Sequence, residues 1–350
     1  MAKSTVGLDL SSTAIRGVEV LGAHGPRPTV VRVAEVPAPV GAISRGEVLE
    51  PNTVAGALRE LWSIGRFRTK DVVLGMGNQR VLSRDLTVPK APIAQIRQSL
   101  PFQVQEMLPV PVGDAILDFY PTSEGRDESG PVLNGLLIAA VKDAVMANVR
   151  AVQQAGLNPA GVDLIPFAMT RALISGPARS GTVALVELGG ETTSVVVALD
   201  GVPQFVRIIP SGGEDLTRRL ATGLDIDRDQ AELVKRHLGL AGVPHTNDDQ
   251  RALALTREAV SELLTSLRNT LNYYVNTRPD ERIDHVVVTG GAARLGGLRD
   301  ALATQTGLPV VVGDVFAGAV FAKHVQAHDI EERGHEVAVA YGLAIGSRAA

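Results

Sequence analysis

Gly7-Leu-Asp-Leu-Ser-Ser-Thr-Ala-Ile-Arg-Gly-Val-Glu-Val20 and Leu185-Val-Glu-Leu-Gly-Gly-Glu-Thr-Thr-Ser-Val-Val-Val-Ala198 repeat one pattern. Each is an apolar strand that ends on a carboxylate, turns through Gly, Ser or Thr, and returns as a second apolar strand. With Asp9 set over Glu187 the whole pattern coincides, about half a chain apart. Solenoid units recur every ~20–50 residues. A single repeat at half the chain length instead predicts two related lobes built on the same hairpin.

The tips of these hairpins have a definite chemistry. Small residues let the backbone approach an anion closely, and consecutive N–H groups in a tight turn form an anion-binding nest. The first tip carries Ser11, Ser12 and Thr13; the second carries Gly189, Gly190, Thr192 and Thr193. Their hydroxyls add donors. Asp9 and Glu187 would repel a bare phosphate, so their place at the strand ends suits a hydrated Mg²⁺ lying between them and phosphate oxygens. Arg16, the cation of the first hairpin, is in reach of the same oxygens. Either hairpin alone reads better as an ordinary polar turn. The two in register point to phosphate.

Two further elements belong with them. His285-Val-Val-Val-Thr-Gly-Gly-Ala-Ala-Arg-Leu-Gly-Gly-Leu298 is an apolar strand delivering a glycine pair, followed by a helix. Paired glycines after a strand permit close contact with a flat ligand such as an adenosine, although such turns also serve plain packing. In Ala231-Glu-Leu-Val-Lys-Arg236, Glu232, Lys235 and Arg236 share one helix face, which by itself reads as a solvated salt-bridge face before a ligand contact.

Composition sets the frame. The 350 residues are 45% hydrophobic and 21% charged, with a formal net charge of -4, which fits a globular protein of two domains and not a non-specific nucleic-acid binder. There is no cysteine, which excludes disulfides and thiolate chemistry. The amino terminus lacks the form of a signal peptide, and no uncharged apolar run reaches the roughly 18 residues of a membrane helix. The expectation is a cytoplasmic protein. Strands alternate with helices, an α/β pattern. Strands are expected at 6–10, 72–76, 136–141, 183–188, 194–199, 206–210 and 285–289, with helices at 144–155 and about 247–275, the latter capped by Asn247 or Asp248. Loops are expected at 22–28, 123–131 and 238–246, and a linker at 175–181.

In order and spacing the four elements resemble the actin-like superfamily. The resemblance implies a two-lobed fold of duplicated RNase H-like domains. Asp9 to Arg16 would be the first phosphate loop and Glu187 to Thr193 the second. Gly290, Gly291 and Ala292 would hold adenosine, Glu232 and Lys235 the ribose and adenine, with Gly213 beside them. ATP with Mg²⁺ is the implied cofactor, Asp9 and Glu187 holding the metal through water and assisting any hydrolysis. The crossing segment between lobes would fall at 162–168.

Within the superfamily the chain looks like the PilM family of type IV pilus assembly. The likeness rests on Val88-Pro-Lys, Leu100-Pro-Phe, Met107-Leu-Pro, Ala115-Ile-Leu-Asp-Phe119, Pro166-Phe-Ala, Val288-Thr-Gly-Gly-Ala-Ala-Arg-Leu and Ala340-Tyr-Gly-Leu-Ala-Ile-Gly346. It implies a lobe-one core at 1–77, 161–178 and 331–350, an extra partner-binding subdomain at 78–160, and lobe two at 179–330 with its outer part at 226–284. It further implies a PilN amino-terminal tail bound as a peptide beside that subdomain, other pilus proteins as partners, and membrane association only through a partner. Prolines 89, 92, 101, 109 and 111 are expected to break the subdomain into short pieces. Ile93, Ile96, Leu100, Phe102, Val104, Met107 and Leu108 would then pack its core or line a peptide groove.

Departures bear on the chemistry. The family's second loop usually begins with Asp, and Glu187 is longer by one methylene, about 1.5 Å. Ser11 stands for a Gly and Arg16 for a Lys, a planar fork in place of a point charge. These changes are compatible with nucleotide binding and predict slow hydrolysis at most. The competing readings are a filament-forming protein of the FtsA or MreB type and a small-molecule kinase. FtsA normally ends in an amphipathic membrane helix, for which 346–350 are too few residues. A kinase needs a carboxylate base, for which Asp163 is the candidate, with a capping or turn role as its other reading.

Overall fold

The structure, a computed structural model, describes residues 4–23, 25, 27–174 and 179–346. Most of the 175–181 linker tract, and residues 347–350 of the terminal stretch, lie outside the described residues. The chain opens with β1 (Ser4–Leu10), β2 (Ala14–Leu21) and β3 (Thr29–Pro37), a small hairpin of β4 (Ile43–Ser44) and β5 (Glu47–Val48), α1 (Pro51–Gly65) and β6 (Asp71–Met76). Then come β7 (Val81–Pro89), α2 (Ile93–Gln103), β8 (Ala115–Asp127), β9 (Gly130–Val141), α3 (Lys142–Gln154), β10 (Asn158–Leu164) and α4 (Ile165–Leu173). The second half holds β11 (Thr182–Leu188), β12 (Thr193–Leu199), β13 (Val202–Ile209), α5 (Gly213–Leu224), α6 (Arg228–Leu238) and α7 (Asn247–Thr277). It closes with β14 (His285–Thr289), α8 (Leu298–Thr306), β15 (Val310–Val312), β16 (Val320–Phe321), α9 (Ala327–Glu332) and α10 (Gly334–Ile345).

Two sheets share one topology. The first runs β10-β6-β1-β2-β3-β16 and the second β13-β12-β11-β14-β15. In each, the central strand pairs antiparallel with its hairpin partner on one side and parallel with a later strand on the other. The registers match as well: Asp9 faces Arg16 in one hairpin, and Glu187 faces Ser194 in the other. The sequence repeat is therefore a repeat of structure.

Burial explains the apolar strands. Val6, Leu8 and Leu10 face α1 and α3 on one side of the first sheet. Val18 and Val20 face α4 and α10 on the other. The same two helices also cover Val183, Leu185 and Val196 of the second sheet, so α4 and α10 are the layer between the lobes. Strands covered on both faces lose polar alternation and read as continuous apolar runs. The helix layer sits close: a Cβ on Gly7 would lie 1.9 Å from the Ala340 carbonyl oxygen. The outer face of the second sheet packs against α5, α6, α7 and α8. There α7 buries Val260, Leu264, Leu267, Leu271 and Tyr274 at helical spacing, each worth roughly 1.5–3 kcal/mol.

The small sheet β7-β9-β8 has its own core on one face, where Val88, Ile96, Leu100, Val104, Phe119, Leu133 and Leu137 pack together, while Leu136, Ile138 and Tyr120 on the other join the core between the lobes. It leans on the second half of the chain through Arg278, which donates to Asp85 at 2.7 Å and stacks 5.0 Å above the Tyr274 ring.

Three local expectations are corrected. The stretch 123–131 is the distal part of the β8–β9 hairpin, not a loop. Both faces of β8 are largely solvated there, so its residues carry no apolar alternation to read. α7 is capped by Thr246, one residue earlier than expected. The Thr246 hydroxyl accepts from the Asp249 N–H at 3.0 Å and the Asp249 carboxylate accepts from the Thr246 N–H at 3.0 Å, a capping box. Pro101 lies inside α2 and does not end it; so near the carboxyl end of a helix it removes one hydrogen bond and leaves the rest intact.

Candidate functional site

The two hairpin tips meet across a cavity of about 630 Å³ between the lobes. From the first come Asp9, Ser11, Ser12, Thr13 and Arg16; from the second, Glu187, Gly189, Gly190 and Thr192. Gly213 enters from the start of α5, Glu232 and Lys235 from α6, and Gly290, Gly291 and Ala292 from the turn after β14. Thr193 is the one expected site residue that does not line the cavity. It is buried in β12 and its hydroxyl donates to the Ser211 carbonyl at 2.7 Å.

The tips touch. A Cβ on Gly190 would lie 3.2 Å from Thr13 Cγ2 and 3.3 Å from Ser12 Oγ. Behind them stand the two carboxylates. Burial pushes the Asp9 carboxyl up to about 6, against the pull of Arg16. Burial pushes Glu187 further, to about 8, and the Asp9 charge adds to the rise. Two carboxylates held this way favour a proton or a cation between them. Among the described residues no group of three or more His, Asp or Glu gathers into a metal site, so a Mg²⁺ at Asp9 and Glu187 would complete its shell with water and phosphate oxygens, as that ion ordinarily does.

Arg16 is already partnered. Its Nε donates to Glu35 at 2.5 Å, and its Nη1 lies 3.9 Å from Asp9. Glu35 is shared with Arg333 at 3.0 Å. On the far side, the face read as a possible solvated salt bridge turns inward. Lys235 donates to the Thr217 hydroxyl at 2.8 Å and the Gly213 carbonyl at 3.2 Å, and pairs with Glu232 at 2.5 Å. Burial pushes Glu232 up, but Lys235, Arg236 and Thr217 outweigh it and hold the carboxyl below its ordinary range. Arg236 itself stays exposed. The arrangement offers anion donors at one end and a paired Lys and Glu, able to donate and accept, at the other. That fits a polyphosphate with a polar ring system attached.

Several lining residues had no local signal in the sequence: Glu35, Arg45, Ile165, His335 and Glu336. They come from β3, the β4–β5 turn and the ends of α4 and α10, and only the packing of the lobes brings them to the cavity. Glu191 was visible inside the second tip, yet nothing local marked its reach. Asp163 lies elsewhere. It lies within β10, pairs with Arg171 and accepts from the Leu164 N–H at 2.7 Å, neither a turn nor a cap, and it does not line the cavity.

The comparisons agree with this geometry. The family model described as "Type IV pilus assembly protein PilM" matches residues 7–348. Cell division protein FtsA of Bacillus subtilis is 30% identical over 160 residues, covering 42% of this chain; the match spans 36% of that relative's length. Among solved structures, a PilM-PilN type IV pilus biogenesis complex superposes with a TM-score of 0.83 at 27% identity, covering 97% of both chains. MreB 5 of Spiroplasma citri, solved with AMPPNP, superposes at 0.52 and 11% identity over 90% of this chain and 93% of that one, a likeness of fold. The fold is actin-like and two-lobed, and the chain belongs to the PilM family of type IV pilus assembly proteins.

Proposed function

We propose that this chain binds ATP with Mg²⁺ in the interlobe cavity and grips the cytoplasmic amino-terminal tail of a PilN-like membrane protein with its β7–β9 subdomain. The observation that carries the first half is the meeting of the two hairpin tips, with Asp9 and Glu187 buried behind them. The phosphates take the tips and the adenosine takes the Gly290–Ala292 turn opposite Glu232 and Lys235. Asp9 and Glu187 hold the hydrated metal. Hydrolysis is slow at most, because Glu187 carries its carboxylate further in than an Asp would and catalysis depends on sub-ångström placement. The protein then works in the cytoplasm, at the inner membrane through its partner.

The second half follows from the solved PilM-PilN complex to which the chain is similar, and from the subdomain's surface. Ile96, Leu100 and Val104 fill its core, whereas Phe102 is 81% exposed on α2. Phe102 is the residue we assign as an anchor for the apolar side chains of a peptide. No helix among the described residues is long and apolar enough to cross a membrane.

Thermal unfolding tests the nucleotide site. Mg·ATP at about 100 times its Kd should stabilise the protein by roughly 2.7 kcal/mol, and Arg16→Ala should remove most of that shift. An equal shift in the variant would place the nucleotide elsewhere. Titration of a labelled PilN amino-terminal peptide tests the partner site: Phe102→Asp, on an exposed position, should weaken binding tenfold or more while leaving the ATP shift in place. Undiminished peptide affinity would remove the subdomain from the interface.

A further inference from the structure

Glu191 stands at the tip of the second hairpin and reaches across to the other lobe. Its Oε2 accepts the Arg45 backbone N–H at 2.7 Å, and the Ser12 hydroxyl donates to the same carboxylate. On its own lobe Arg218 donates to Oε1 at 3.0 Å. Burial pushes the carboxyl up, but these three donors outweigh it and hold Glu191 below its ordinary range, firmly ionised. The Arg45 N–H is aimed there by a tight turn: Arg45 has φ 49° and Gly46 φ 76°, left-handed values that a two-residue hairpin requires and that an Arg adopts at some cost. Glu191, Ser12 and Arg45 all line the cavity beside the phosphate-binding tips.

A hydroxyl, a backbone N–H and a guanidinium converging on one carboxylate form a set that a phosphate would also use. Two like charges at hydrogen-bond separation in a partly buried cleft repel strongly. A carboxylate and a terminal phosphate therefore cannot share these donors.

We propose that Glu191 is a latch across the cleft that a terminal phosphate must displace, and that it thereby sets the ratio of triphosphate to diphosphate affinity. The assignment rests on the nucleotide reading above and adds a residue that discriminates between the two nucleotides. Diphosphate binds with the Glu191–Arg45 bridge closed; triphosphate displaces the carboxylate and takes up its donors, bridging the two lobes in its place.

Two measurements test it. Calorimetric titration of Mg·ATP and Mg·ADP into the wild type, Glu191→Gln and Glu191→Ala gives the affinity ratio. Both variants should shift it toward ATP by tenfold or more, chiefly by tightening ATP. An unchanged ratio, with both nucleotides still bound, overturns the latch and leaves the nucleotide site standing. Weaker ATP binding in the variants overturns it too, since Glu191 would then be serving the nucleotide or its metal. If no protein binds either nucleotide, the nucleotide reading and the latch fall together. The second readout needs no nucleotide. The chain has no cysteine, so Val40→Cys and Val243→Cys, both on exposed positions, can carry paired spin labels. Glu191→Ala should broaden and lengthen the distance distribution in nucleotide-free protein; identical distributions would show that no latch exists.

Discussion

Protein stripped of nucleotide and divalent cation should lose about 2 kcal/mol of stability between pH 6.5 and 8, and Glu187→Gln should abolish the loss. Glu187 ordinarily titrates near 4.5 and is pushed up to about 8 by burial and by Asp9. Across that interval the folded state binds a proton that the unfolded state has released, so stability falls as pH rises, by about 1.4 kcal/mol per unit. Asp9, pushed up to about 6, acts in the same direction but finishes earlier. His335 runs the other way. Burial lowers it below 6.5, so its neutral folded form gains stability as pH rises toward that value and partly masks the fall below it. Glu191, Glu232 and Glu336, all held low, lose their stabilisation only in the acid range and do not affect this window. The steepest loss therefore lies above 6.5 and lowers Tm by roughly 3 °C. Mg·ATP should flatten the profile, because the cation takes the place of the proton between the two carboxylates. Thermal melts across a pH series decide it. A level profile without ligand would mean that Glu187 stays ionised and that the pair is not strained by burial.

The second large effect separates two adjacent glycines. Gly290 has φ 92°, and a Cβ there would lie 2.4 Å from the Leu188 carbonyl oxygen. Leu188 is paired with Thr193 in β11, and Gly290, just past the end of β14, is held by its N–H, which donates to the His335 carbonyl at 3.1 Å, so neither backbone moves aside easily. Gly290→Ala should cost about 3 kcal/mol or more and yield little folded protein. A Cβ on Gly291 meets nothing within 4 Å and faces the cavity. Gly291→Val should thus keep its Tm within a few degrees in the absence of ligand and yet lose the Mg·ATP shift, because the added methyls fill the space assigned to adenosine. A folded Gly291→Val protein with a normal nucleotide shift would move the adenosine away from this turn. The sequence treats the two glycines as one motif. The structure divides them into a packing glycine and a cavity-facing one.

That division shows what could be read early. The repeat of Asp9 and Glu187 carried the two-lobed fold, because a strand ending in a carboxylate and a small-residue turn is local chemistry that survives in one dimension. The strands were legible for the same reason: helices cover both faces of each sheet, so Val6 to Leu10 and Val183 to Leu188 read as apolar runs. The lengths of chain that form one hairpin or one helix are short, and their patterns are written in neighbouring residues. The distal β8–β9 hairpin escaped because its strands are solvated on both faces and leave no period.

What only the tertiary structure decided is how separate segments face one another. Whether Lys235 and Glu232 turn outward or into the cavity depends on where α6 lies against α5. Arg16 was legible as a cation beside the first hairpin tip, but its hold on Glu35 depends on the pairing of β2 with β3. The reach of Glu191 to Arg45 joins residues 146 positions apart. No periodicity records that distance, because it is set by the helix layer of α4 and α10 that fixes the two sheets against each other. Sequence by itself determined the lobes and most of the residues that line the cavity between them. The closed contact between the lobes, and with it the candidate latch, belongs to the packing alone.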